Sequence, residues 1–164
     1  DPGEPGLEGV MVQLISFGPD GALYVSQVCS GRILRIAAAP NAFVDLGQGL
    51  AGTAGVTPLL LGFGALLGGD PVNLDMTQGL PLGQANLVIG VSALSAAFKG
   101  GVLVPHPDIV LGGLPLNGAG ALAIGFTWPT GVPAGVSTWY QYWNPDPGGA
   151  VGFSASNALR GTTP

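Results

Sequence analysis

Few residues in this chain have any capacity for chemistry. The single histidine, His106, stands in Val104-Pro-His-Pro-Asp108, boxed by prolines, with Asp108 two residues on and able to pair with it. A histidine acts as a catalytic base only beside a nucleophile and an orienting acid. No such set can be assembled here, so His106 reads as a loop residue and no catalytic residue is expected. The nine carboxylates (Asp1, Glu4, Glu8, Asp20, Asp45, Asp70, Asp75, Asp108 and Asp146) never fall at the D-x-D-x-D-G spacing of a calcium loop. Asp20 and Asp146 occupy the turn sequences PDG and PDPGG, where aspartate caps its own backbone. Calcium held between loops, or between subunits, is the metal chemistry left to these acids; no other cofactor is expected. Gly47-Gln-Gly-Leu-Ala-Gly52 matches G-x-G-x-x-G, but a dinucleotide fingerprint needs a helix after it, and no helical pattern follows. Cys29 is alone, which excludes an internal disulfide; it reads as a small buried apolar residue, with an intermolecular disulfide as the sharper alternative.

The densest chemical feature is aromatic. Trp139, Tyr140, Tyr142 and Trp143, with Trp128, form a group that could stack sugar rings, fill a core or meet another subunit. In a strand, Trp139, Gln141 and Trp143 share one face while Tyr140 and Tyr142 share the other. Aromatic residues on both faces imply that both are covered. These four are the candidate glycan or subunit contacts.

Composition points away from a freely diffusing enzyme. Of 164 residues, nine are acidic and four basic, so 8% are charged, while 30 are glycine and 15 proline. Ordinary soluble domains carry about 25% charged residues. Charge keeps surfaces apart and blunts strand edges, so its loss suggests surface hidden in an assembly or a larger parent protein. Arg32, Arg35, Lys99 and Arg160 are too scattered for a nucleic-acid footprint. The longest weakly polar run, 54–69, is shorter than the roughly 20 residues needed to span a bilayer, and Pro58 and five glycines interrupt it. No transmembrane segment is expected.

The elements that must position these residues are strands. Residues 1–9 are a Gly/Pro-rich acidic arm. Val10–Ser16, Ala22–Ser26 and Arg32–Ile36 alternate with turn sequences and predict a three-stranded meander, with a short fourth strand near Phe43–Leu46 and the module running over 10–46. The glycine-rich 47–55 segment is expected to be a linker. Over 56–164, Pro71–Thr77 and Ala121–Trp128 alternate with period 2, Asn86–Ser92 is apolar on both faces, and Val136–Trp143 is strongly β-prone. Ser92–Phe98 is the one stretch that reads as a helical turn. The expectation is an all-β protein: an antiparallel β-sandwich with an N-terminal three-stranded meander and an extended arm.

Two resemblances add to this. Phe17-Gly-Pro-Asp-Gly-Ala-Leu-Tyr-Val-Ser26 followed by Gly31-Arg-Ile-Leu-Arg-Ile36 resembles one blade of an NHL or sugar-dehydrogenase-like β-propeller, of which about four to eight would be needed for closure. Residues 50–164 are similar to a C-terminal β module of secreted multidomain proteins of planctomycete-type bacteria, through Leu80-Pro81, Asn117-Gly118, Gln141, Asp146-Pro147 and Ser156-Asn157. That likeness implies an extracellular or cell-surface β-sandwich with a structural or accessory role, in which packing replaces the cysteine pair many copies carry; it brings no activity with it. The leading expectation is a non-enzymatic structural subunit of an extracellular assembly, a filament or surface layer. Its copies would join by β-strand addition, with residues 1–17 as donor. The alternative is an accessory or glycan-binding module of a larger secreted propeller protein.

Overall fold

The computed structural model describes residues 12–17, 23–27, 31–36 and 42–164. The chain divides into two compact units, one within residues 1–39 and one spanning 40–164. In the first, β1 (Val12–Phe17), β2 (Leu23–Gln27) and β3 (Arg32–Ile36) form an antiparallel meander in that order. Alternation makes it two-faced. Ile15 and Phe17 pair with Val25 and Leu23, and Val25 pairs with Leu34, so these five share one apolar face. Ile15, Phe17 and Leu34 are 62%, 78% and 44% exposed. The opposite face carries Ser16, Tyr24, Ser26, Ile33 and Arg35.

The larger unit is a two-layered antiparallel β-sandwich. Its strands are β4 (Phe43–Asp45), β5 (Leu59–Phe63), β6 (Pro71–Thr77), β7 (Gln84–Gly90), β8 (Ala93–Phe98), β9 (Gly101–Pro105), β10 (Ile109–Pro115), β11 (Leu122–Thr127), β12 (Ser137–Pro145), β13 (Phe153–Ala155) and β14 (Leu159–Thr162). One layer runs β10-β7-β12-β14-β4, with β13 pairing the far end of β12; the other is β11-β6-β5. The core lies between them: Leu60, Val72, Leu74, Met76, Leu87, Tyr140 and Tyr142 are all buried. The hairpin β8-β9 lies on the outer face of the larger layer, where Leu103 packs with Val88, Trp143 and Ala155 in a second cluster.

Four expectations need correction. Residues 43–45 do not extend the meander: β4 pairs with β14 more than a hundred residues away. The 47–55 segment is no linker. Gly47 accepts from Ala158, Leu50 forms a bridge with Ala155, and Thr53–Gly55 is a 3-10 turn held to Asp146. The division therefore falls after Ala39 rather than near residue 50. Finally, Ser92–Phe98 is not helical. Residues 93–98 are β8, paired with β9 across a two-residue turn in which Lys99 and Gly100 both take positive φ (48° and 84°), the signature of a type I′ hairpin. The arm and Cys29 lie outside the described residues.

Candidate interaction surface

Strand β12 is the axis of the sandwich, and the four candidate aromatics sit on it. Tyr140 and Tyr142, on its inner face, are 2% and 0% exposed, and the ring of Tyr140 meets Phe43 edge-on at 5.8 Å. Burial pushes the phenols of both tyrosines above the usual range. On the outer face Trp143 is 2% exposed and makes a T-shaped contact with Phe98 at 4.9 Å. Both faces are thus covered, but by this chain's own β6 layer and its β8-β9 hairpin, so Tyr140, Tyr142 and Trp143 are removed from contact with a glycan or a second subunit. Only Trp139, half-buried near the start of the strand, remains accessible. The outer cover is supplied by β8, the stretch whose composition suggests a helical turn.

Three of the marks of the expected module, Gln141, Asp146 and Asn157, are buried polar joints. The Gln141 side chain is fully buried. Its Oε1 accepts from the Val104 N–H (3.1 Å) and the Trp143 indole (3.2 Å), and its Nε2 donates to the carbonyls of Gln48, Val102 and Ser156. One amide therefore ties β12 to the hairpin and to two loop segments, satisfying backbone groups that no ladder reaches. Asn157 does the same between the layers: its Oδ1 accepts from the Leu60 N–H at 2.7 Å and its Nδ2 donates to the Leu60 carbonyl at 3.0 Å. That pair occupies the outer edge of β5, which has no neighbouring strand. Asn117 caps its turn by accepting from the amides of Ala119 and Ala121.

Asp146 is the third joint. Only 3% exposed, its carboxylate accepts from the Thr53 amide and hydroxyl and from the Gly148 amide. Burial alone would raise the carboxyl, but these hydrogen bonds outweigh it and hold the group below its ordinary value. The approach is so close that a Cβ on Gly52 would stand 1.9 Å from Asp146 Oδ2. A shallow, mostly apolar groove of about 290 Å³ lies over this joint, lined by Thr53, Ala54, Val56, Gln78, Leu80 and Pro81. Its one carboxylate is committed to the Thr53 turn.

His106 and Asp108 do pair, at 2.8 Å on the surface. Asp108 also accepts from the Val91 amide at 2.8 Å, and that bond, followed by the histidine contact, holds its carboxyl below the ordinary value of 3.8. A group depressed in the folded state stabilises the fold above its unfolded pKa and loses that contribution as pH falls through the folded one. An NMR titration should therefore place the Asp108 midpoint below 3.8, with the Val91 amide shift following it. Among the described residues no three of histidine, cysteine, aspartate or glutamate gather.

What the sandwich leaves open is one side. Along β12 and β7 the inner face is sealed, with Leu87 1% exposed, but on β10 it is not. Ile109 and Leu111, which pair with Ile89 and Leu87 and so face inward, are 54% and 41% exposed. In the other layer β6 is fully buried at Val72, Leu74 and Met76, while the inward Leu122, Ile124 and Phe126 of β11 are only half-buried. Five strands face three, and coverage runs out at β10 and β11, which follow one another in the chain and form the same side. Neither strand carries a charge, whereas natural sheets usually guard edges with lysine, proline or a cover. A bulge at Gly112-Gly113, where the Gly113 amide donates to Asn86, and Pro115 at the end of the strand blunt β10; β11 has neither. The opposite side is closed by Asn157 on β5 and by a β4 of three residues. Sequence reasoning missed this site because exposure of alternate residues depends on how many strands lie opposite. Compared with protein-family models, with curated proteins and with solved structures, the chain has no match.

Proposed function

We propose that this protein is a non-enzymatic structural subunit of an extracellular assembly, a filament or surface layer, whose copies join by β-strand addition. The observation that carries this reading is the charge-free, half-covered side formed by β10 and β11. The uncharged edge of β11 in particular is a template for pairing with another chain. The scarcity of charge over the whole chain and the exposed apolar face of the meander fit the same role. Gln141, Asn157 and Asp146 are committed to holding turns and layers together. No helix among the described residues is long and apolar enough to cross a membrane. Small-angle scattering of the full chain over a hundredfold concentration range tests the proposal: mass should rise with concentration, and a constant monomer would sink it.

A second reading is supported by the meander. Three short strands with one apolar face cannot bury that face by themselves, and a neighbouring blade in a longer secreted protein would cover it. In that case the chain is an accessory module, and glycan binding would rest on the half-buried Trp139. Trp139→Ala should then abolish retention on a glycan array while leaving the melting temperature within a few degrees.

A further inference from the structure

We infer that Asn117 is a site of spontaneous covalent modification. The Gly118 nitrogen closes a ring on the Asn117 side chain, and water opens that ring to aspartate or isoaspartate. The inference is independent of the assembly reading above. Of the six asparagines in the chain, only Asn117 precedes glycine. With no Cβ beside it, a glycine nitrogen approaches a neighbouring carbonyl unhindered. Ring closure also needs an N–H that is not already donating, a carbonyl polarised for attack and a side-chain nitrogen free to leave. The turn between β10 and β11 supplies all three.

Its hydrogen bonds leave one amide idle. The Asn117 amide donates to the Ala121 carbonyl at 3.0 Å, and the Gly120 amide to the Asn117 carbonyl at 2.9 Å. The amides of Ala119 and Ala121 both donate to Asn117 Oδ1, at 2.9 and 3.0 Å. Within 117–121 the Gly118 amide alone has no acceptor among the described residues. Two N–H groups on Oδ1 draw electron density from Cγ and point at the oxygen where charge gathers during attack, as in an oxyanion hole. Asn117 Nδ2 has no partner among the described residues, and residues 117–119 are exposed, so water and hydroxide reach them.

The other asparagines are held back. Asn157 is buried and commits both Oδ1 and Nδ2 to Leu60. Asn144 is buried and precedes Pro145, which has no N–H to lose. Asn86 donates to the Trp143 carbonyl and accepts from the Gly113 amide. Asn41 and Asn73 precede alanine and leucine, whose Cβ atoms obstruct the approach.

In the first step the Gly118 nitrogen, its proton given to hydroxide, bonds to Asn117 Cγ, and an electron pair moves onto Oδ1. The Cγ–Nδ2 bond then breaks, and Nδ2 takes up a proton and leaves as ammonia. Water adding to the ring at Cγ restores the main chain and leaves aspartate. Water adding at the main-chain carbonyl leaves isoaspartate, with the chain now running through Cβ. One water is taken up and one ammonia released, and nothing is oxidised or reduced. Aspartate keeps both Oδ1 bonds, because a carboxylate accepts as the amide did. Isoaspartate displaces the Asn117 carbonyl, which also accepts from the Leu82 amide at 3.0 Å, and so loosens the turn from residues 80–83.

The test incubates the full chain near neutral pH beside a peptide of residues 112–123, a clock with the same sequence and no fixed turn. Peptide mapping by mass spectrometry should find residue 117 heavier by the difference between O and NH, with aspartate and isoaspartate forms separated by chromatography. When nine-tenths of the peptide has reacted, at least half of the folded chain should be modified at 117. A smaller fraction would mean that the turn shields Asn117 and would overturn the inference. Gly118→Ala adds a Cβ that meets nothing within 4 Å, so the fold accommodates it. It should slow the reaction about tenfold or more, an added barrier of roughly 1.4 kcal/mol. An unchanged rate in that variant would exclude the Gly118 nitrogen as nucleophile and overturn the inference as well.

Discussion

Replacing Gln141 by leucine is expected to cost about 3–5 kcal/mol of folding stability, seen as a lower urea midpoint. The volume nearly matches, so no large cavity forms. The loss comes from five groups deprived of a partner at once: the Val104 amide, the Trp143 indole and the carbonyls of Gln48, Val102 and Ser156. Each buried group left unsatisfied costs roughly 1–3 kcal/mol, and the Gln48 and Val102 carbonyls are only part-buried, so water can replace part of their loss. The hairpin β8-β9 should loosen first, because Gln141 holds Val102 and Val104 on it, with Phe98 on Trp143 and Lys99 over the Phe153 ring at 4.8 Å as its other ties. Hydrogen exchange at Val104 would detect this before global unfolding. Gln141→Glu should be worse near neutral pH, because an acceptor-only carboxylate would then face three carbonyl oxygens. Burial would raise that carboxyl, so the native state would bind more protons than the unfolded one, and stability would rise as pH falls. An unchanged urea midpoint in the leucine variant would refute the account.

The second large effect is expected at Asp146. Asp146→Ala should cost about 2–4 kcal/mol by freeing the Thr53 amide, the Thr53 hydroxyl and the Gly148 amide. Because its carboxyl is held below the ordinary value, its contribution is complete above the unfolded pKa and disappears as pH drops through the folded one. The wild type should therefore lose stability on acidification below about pH 4, and Asp146→Asn should show a shallower acid limb. Gly52→Ala tests the same joint from the other side, since its methyl group would occupy the space of the carboxylate. The two substitutions should be strongly non-additive in a double-mutant cycle. Simple additivity would show that Gly52 is needed for some other reason.

Both joints bear on how far the fold could be read from residues alone. Period-2 alternation is a local property. It located β6 to the residue and set the faces of β11 and β12. Local composition misled where its usual cause was absent. The glycines of 47–55 suggested a flexible linker, yet Gly52 is small so that a carboxylate can reach the Thr53 turn. Ser92–Phe98 lacks β-branched residues and looked helical, but Lys99-Gly100 turns it back against β9 regardless of its own propensity. The pairing of β4 with β14 had no local trace at all, being fixed by partners more than a hundred residues apart. For the candidate site, alternation marked the residues of β11 as a strand; Ile109 and Leu111 carry no such signal. Their exposure is a consequence of layer count, five strands against three, and a count of that kind exists only in the assembled sandwich.

The Asn157 amide imitates one residue of a strand that is not there, offering the Leu60 N–H an acceptor and the Leu60 carbonyl a donor. A side chain, unlike a strand, has no second edge to hand on, so the three-stranded layer terminates at β5 and cannot be copied outward from that margin.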